Sequence, residues 1–182
     1  MLTAFIRTRA NRTRTASKVA AEPQWMLISV LMIIILSLST PISAEPNTIV
    51  GRASVIDGDT IKIHGQRIRL FGIDAPESRQ TCSGGNGKAW RCGQASTLAL
   101  SDAIGTATIS CRPNGKGRHR RVLAACFKGS DDLNGWMVRN GWAVAYRRYS
   151  SAYINEETAA MNAGLNMWAG KFAMPWDWRT SH

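Results

Sequence analysis

Cysteine and histidine are scarce here, with four and three copies in 182 residues. None of the cysteines forms a Cys-x-x-Cys pair, and no Cys/His cluster is present, which argues against a structural zinc site. Acid is also scarce: 12 Asp and Glu stand against 23 Lys and Arg, for a formal charge of +11. There is no long run of one charge, no internal repeat and no low-complexity segment, so solenoids and solvating tails are excluded. No apolar run reaches the roughly 20 residues that cross a bilayer comfortably.

What is there begins with a leader. Arg7, Arg9, Arg12, Arg14 and Lys18 precede an apolar stretch from Trp25 to Leu38, followed by Thr40-Pro41-Ile42-Ser43-Ala44. Basic flank, short apolar core and small residues are the parts of a secretory signal, and Ala44 suits a cleavage site. Residues 1–44 therefore read as a cleaved signal peptide or a retained N-terminal membrane anchor. Membrane contact is expected only through this segment, and residues 45–182 are expected outside the cytoplasm, secreted or periplasmic. Residues 1–44 hold five of the 23 basic residues and one of the 12 acids, which leaves a body charge of +7. A basic body of that kind suits a polyanionic partner or a merely soluble surface.

Cys82, Cys92, Cys111 and Cys126 all fall in the exported part. An even count in an oxidising compartment favours disulfides. Three pairings are possible. Cys82–Cys92, closing a Gly-rich loop, and Cys111–Cys126, tying neighbouring strands, are the pairs expected.

Residues 45–53 read as a linker into a first strand that ends at Val55-Ile56. Asp57-Gly58 is a turn signal. Thr60–Ile63 and Gln66–Ile73 alternate as half-buried strands, and Pro76 ends the ladder. A polar loop over 78–93 leads to a helix over 94–104. A fourth strand is expected at 106–111, a basic loop at 112–120 and a fifth strand at 122–127. A short helix carries Leu133, Trp136 and Met137, and another runs from Asn155 to Met167. Trp168, Phe172, Trp176 and Trp178 read as a terminal clamp. His64 and His182 read as exposed and unpartnered. Five short strands with about three helices predict a mainly β fold with α: a five-stranded OB-type barrel with helical cover.

Asp57, Asp59, Arg69, Asp74 and Glu77 lie within about twenty residues. Asp59 at a strand start and Asp74 at a neighbouring strand's end can converge on one hard cation. Glu77 suits a general base, and Arg69 suits a phosphoryl oxygen, with the Arg118–Arg121 cluster as a second donor. Each has a plainer reading as a turn residue, a bend cap or a surface ion pair.

Val55-Ile56-Asp57-Gly58-Asp59-Thr60-Ile61 and Arg67-Ile68-Arg69-Leu70-Phe71-Gly72-Ile73-Asp74-Ala75-Pro76-Glu77 resemble the opening signature of the staphylococcal nuclease family. Weaker similarity continues through Asp132-Leu133-Asn134, Gly141-Trp142-Ala143 and Trp168-Ala169-Gly170, and spans residues 51–179. The resemblance implies an OB-fold barrel that cleaves DNA and RNA, single strands favoured, to 3′-phosphate ends with calcium, and acts as a monomer. It implies that Asp59, Asp74 and the Ala75 carbonyl bind Ca2+, with Asp57 just outside. Glu77 would be the general base, Arg69 and Arg121 would stabilise the transition state, and Tyr146 would help hold the phosphate. The chain departs from the family at Gly117-Arg118-His119-Arg120-Arg121, where Asp-x-Tyr-Gly-Arg is usual. His119 takes the place of the substrate-contacting Tyr. Arg121 takes the catalytic position, or Arg120 if the register slips by one. The competing readings are a non-catalytic nucleic-acid-binding module and a role in exported polysaccharide metabolism.

Overall fold

Three strands and two tight turns open the domain in the computed structural model, which describes residues 47–117 and 121–182. Strand β1 (Ile49–Asp57) alternates half-buried and exposed positions along its whole length, as a strand with one face on a core does. It pairs antiparallel with β2 (Thr60–Ile63), which pairs in turn with β3 (Gln66–Leu70). The β2–β3 turn is His64-Gly65, both at positive φ, the geometry of a type I′ hairpin. The His64 ring does find a partner: its Nε2 donates to the Val50 carbonyl at 3.0 Å.

Strand β7 (Thr108–Lys116) pairs with β1 and with β8 (Val122–Lys128). Strand β8 then runs parallel to β3, with Ile68 opposite Val122 and Arg69 opposite Leu123. That last pairing closes a five-stranded mixed barrel in the order β3-β2-β1-β7-β8. Closure removes the sheet edges and leaves an interior of Ile61, Ile63, Ile68, Leu70, Ile109 and Ala124, none more than 1% exposed. The expected OB-type architecture is therefore the one observed.

Several boundaries differ from expectation. Strand β1 starts at Ile49, inside the expected linker, because Ile49 pairs with Cys111. Strand β7 does not stop at Cys111 but continues through the expected basic loop to Lys116. Asn114-Gly115 looks like a turn, yet it is absorbed as a register shift between Pro113 and Lys116, with Gly115 at φ 100°. The polar loop contains a small hairpin, β5 (Cys82–Ser83) with β6 (Ala89–Trp90). The first helix, α1 (Cys92–Ile104), begins two residues early.

Beyond the barrel, β9 (Asp131–Asp132) extends β8, and α2 (Leu133–Arg139) starts on an Asp132 cap. Strand β4 (Ile73–Asp74) pairs with β10 (Val144–Ala145). Helix α3 (Ile154–Asn162) ends five residues before the expected Met167, because Gly164 adopts a positive φ and its N–H turns back to the Met161 carbonyl. A 3-10 turn (Asn166–Ala169) follows. The aromatic tail then forms a fourth helix, α4 (Pro175–Ser181), started by proline at its first position. None of the described helices is long and apolar enough to cross a membrane.

Both disulfides link the expected partners, Cys82–Cys92 and Cys111–Cys126. The second joins residues directly opposite in the β7–β8 ladder. The first ties β5 to the first residue of α1. Each closes a short loop and contributes roughly 2–4 kcal/mol by restricting the unfolded chain. Trp90, Trp168, Phe172, Met174 and Trp176 pack around Cys82, Cys92, Val144 and Met167 as a second apolar cluster. The tail aromatics thus clamp the C-terminal segment. Trp178 instead stacks on His182 at 4.3 Å, which gives that histidine a partner as well.

Candidate active site

Asp57 ends β1, and its Oδ1 accepts the Asp59 N–H at 3.1 Å, which sets the turn. Gly58 lies between them because a Cβ there would overlap Ser96 of α1 and Ala75. Asp59 is thereby held against the barrel wall, 3% exposed. Asp74 sits at the end of β4, fully buried and opposite Val144.

Arg69 joins the two acids. It lies on β3 opposite Thr60, the residue after Asp59. Its Nη1 donates to Asp59 Oδ1 at 2.7 Å and its Nη2 to Asp74 Oδ1 at 2.5 Å. One planar guanidinium therefore spans both carboxylates. The Ala75 N–H donates to the other Asp59 oxygen at 3.0 Å. Burial drives the Asp59 carboxyl up to about 7; the Arg69 cation opposes this, while the neighbouring Asp57 and Asp74 charges add to it. Arg69 also loses solvation, but Asp59 and Asp74 outweigh that and hold its guanidinium more firmly charged.

Glu77 follows in the segment between β4 and α1, with its side chain 38% exposed. Its backbone is fixed by Gln80, which is fully buried. The Glu77 N–H donates to Gln80 Oε1, Gln80 N–H donates back to the Glu77 carbonyl, and Gln80 Nε2 donates to the Ala173 carbonyl at 2.7 Å. Helix α1 approaches so closely that a Cβ on Gly93 would overlap the Glu77 carbonyl.

A second guanidinium completes the group. Arg179 of α4 donates from Nη2 to Asp74 Oδ2 at 2.6 Å and from Nη1 to Asp74 Oδ1 at 3.1 Å. The same Nη1 donates to Glu77 Oε1 at 2.7 Å. Hydrogen bonding to Asp74, reinforced by Glu77, holds Arg179 firmly charged against the cost of partial burial. Arg179 and Gln80 are site residues that no sequence motif marks. A lone Arg in a Trp-rich tail and a Gln in a polar loop carry no local signal.

The structure thus brings together Asp59, Arg69, Asp74 and Ala75, and links Glu77 to them through Arg179. Tyr146 is placed differently. Its ring stacks on Trp176 at 5.4 Å and meets Tyr149 edge-on, and its N–H donates to the Gly72 carbonyl. Together with Arg147, Arg148, Glu157, Trp168 and Trp176 it lines a cavity of about 640 Å³, which the site carboxylates do not line. Arg121 immediately precedes β8, and its carbonyl accepts the Gly117 N–H. Leu123, two residues further on, pairs with Arg69 on β3. His119 and Arg120 lie outside the described residues.

A small closed OB-type barrel with a buried aspartate pair bridged by arginine on its flank is the class that fold and site define. Residues 67–170 match the family described as staphylococcal nuclease homologue, a stretch that starts after Asp59 and contains Arg69, Asp74 and Glu77. The chain is 38% identical over 130 residues to the succinoglycan biosynthesis protein ExoI of Rhizobium meliloti (strain 1021), covering 69% of this chain and 66% of that protein. It is 31% identical over 162 residues to an uncharacterized endonuclease of Haemophilus influenzae, covering 85% and 84%. It is 29% identical over 171 residues to the micrococcal nuclease of Shigella flexneri, covering 84% and 91%. This chain belongs to the staphylococcal nuclease homologue family.

Proposed function

We propose that this chain is an exported calcium-dependent endonuclease that hydrolyses DNA and RNA to 3′-phosphate ends. The carrying observation is the aspartate pair Asp59 and Asp74, buried, sharing Arg69 and followed by Glu77. Relatives whose names are endonuclease and micrococcal nuclease support the same reading. The leader and the two disulfides support export.

The donor set fits a hard cation. Asp59, Asp74 and the Ala75 carbonyl offer oxygen alone, as calcium prefers. The Asp59 carboxyl is raised first by burial, with the Asp57 and Asp74 charges adding to it against Arg69, and a cation there would offset both. Among the described residues no cluster of three or more His, Cys, Asp or Glu side chains stands ready for a metal, so main chain and water would complete the shell. When bound, the ion neutralises negative charge on the phosphoryl oxygens.

The protein residues supply the rest. A Glu77 carboxylate oxygen takes a proton from the attacking water, whose oxygen bonds to phosphorus as the P–O5′ bond breaks. Glu77 faces solvent enough to meet that water. Arg69 and Arg121 donate to the non-bridging oxygens as their charge grows. The leaving 5′-oxygen takes its proton from solvent. Tyr146, with Arg147 and Arg148 beside it, extends the path along the phosphate backbone.

The test is incubation of the disulfide-bonded protein with single-stranded DNA, in calcium and then in chelator. Calcium-dependent cutting to 3′-phosphate ends supports the reading. Tight binding without cutting in both conditions would replace it with a binding module of the same fold. An oligosaccharide digested in place of DNA would move it to polysaccharide chemistry.

A further inference from the structure

The metal position proposed above and Arg179 make the same demand on Asp74. Both Asp74 oxygens already accept from Arg179, at 3.1 and 2.6 Å, and one of them also accepts from Arg69. Arg179 further engages Glu77, the group that must stay free to take a proton. A dication on Asp74 would lie beside the Arg179 charge in a half-buried setting, where like charges repel far more than in water.

Asp74 already accepts three hydrogen bonds from the two guanidiniums, so a metal on its oxygens must displace one of them. Arg69 cannot be the group that leaves. It lies on β3 within the barrel, and its side chain is only 17% exposed. The Arg179 side chain is 35% exposed and stands near the end of a short terminal helix. It can swing to solvent by side-chain rotation, while Trp176 on Tyr146 keeps α4 docked.

We infer that Arg179 is a built-in counter-cation that occupies Asp74 and Glu77 until a divalent metal displaces it. This rests on the metal reading above. The C-terminal helix then sets the metal threshold of the enzyme and keeps Glu77 paired when metal is low.

The test is calcium binding by titration calorimetry, with no nucleic acid present. Wild type, Arg179→Ala and Asp74→Asn are compared. Arg179→Ala is expected to bind calcium roughly tenfold more tightly than wild type, because it removes a competitor held by charge-assisted hydrogen bonds. Asp74→Asn is expected to lose binding. Equal affinity in wild type and Arg179→Ala, or weaker affinity in the variant, overturns the inference while leaving the metal site intact. No binding by any of the three overturns the metal reading itself, and the inference with it. Binding by Arg179→Ala alone supports the inference in its strongest form. Should Arg179→Ala not fold, the Arg179 Nε–H resonance of the wild-type protein decides. It is expected to shift toward a solvent-exposed position as calcium is added, and an unmoved resonance in calcium-saturated protein overturns the proposal.

Discussion

Arg179 grips both oxygens of Asp74 across a separation of 105 residues. This contact binds helix α4 to strand β4, and it leaves Asp74 with no carboxylate oxygen unpaired. In chelator, Arg179→Ala therefore removes two donors from a fully buried acid. Arg179 is partly exposed, so solvent recovers part of the loss. We expect destabilisation of about 1–2 kcal/mol. Thermal melts in chelator and in saturating calcium measure it, and the difference should shrink when calcium is present.

Asp59 makes stability depend on pH in an unusual direction. Its carboxyl keeps its proton up to about 7 in the folded protein, against 3.8 in the unfolded chain. Between those values the folded state binds more protons, so the contribution of this group to stability falls as pH rises from 3.8 toward 7 and is level above. Asp59→Asn removes that slope. Chemical denaturation in chelator at several pH values should show the variant losing less stability than wild type over this window.

Glu77→Gln should lower turnover by about two to four orders of magnitude. Its backbone is held through Gln80 and its side chain is partly exposed, so folding should hardly change, and calcium binding should hold or tighten because Arg179 loses one partner. A wild-type cutting rate for this variant would remove Glu77 from the role of base.

Arg121→Ala and Arg120→Ala should differ sharply. Leu123, two residues after Arg121, pairs with Arg69 on β3, which favours Arg121 as the second donor. Loss of a transition-state donor costs roughly 100- to 1,000-fold in kcat, and we expect that loss at Arg121 alone. Equal mild losses from both would contradict the assignment.

Gly93→Ala tests how the base is positioned. The new methyl would overlap the Glu77 carbonyl, which is backbone and cannot rotate away. Destabilisation of about 1–3 kcal/mol is expected, with a fall in kcat that Gly93→Ser does not repair. Denaturation and single-turnover rates report the two effects separately.

Alternating strands, the Asp57-Gly58 turn and the run from Arg67 to Glu77 are local patterns, and alternation made β2 and β3 legible. The disulfide partners were legible too, because Cys111 and Cys126 fall on strands that the sequence already makes neighbours. Asn114-Gly115 was misleading, since the same dipeptide serves a turn or a bulge and only the pairing of Lys116 with Val122 decides which. Helix α4 was hidden because seven residues with three aromatic or proline positions have no clear period.

By itself the sequence determined the early strand segments of the barrel, the acids Asp59, Asp74 and Glu77, and Arg69 among them. These depend on residue type and spacing over a few positions, where backbone geometry dictates which side chains share a face. Only the tertiary structure decided that Arg179 and Gln80 belong to the same site. Their partners lie about a hundred residues away for Arg179 and for the Gln80–Ala173 contact. Such contacts arise from how the tail packs over the second apolar cluster, and no local pattern in the chain encodes that distance.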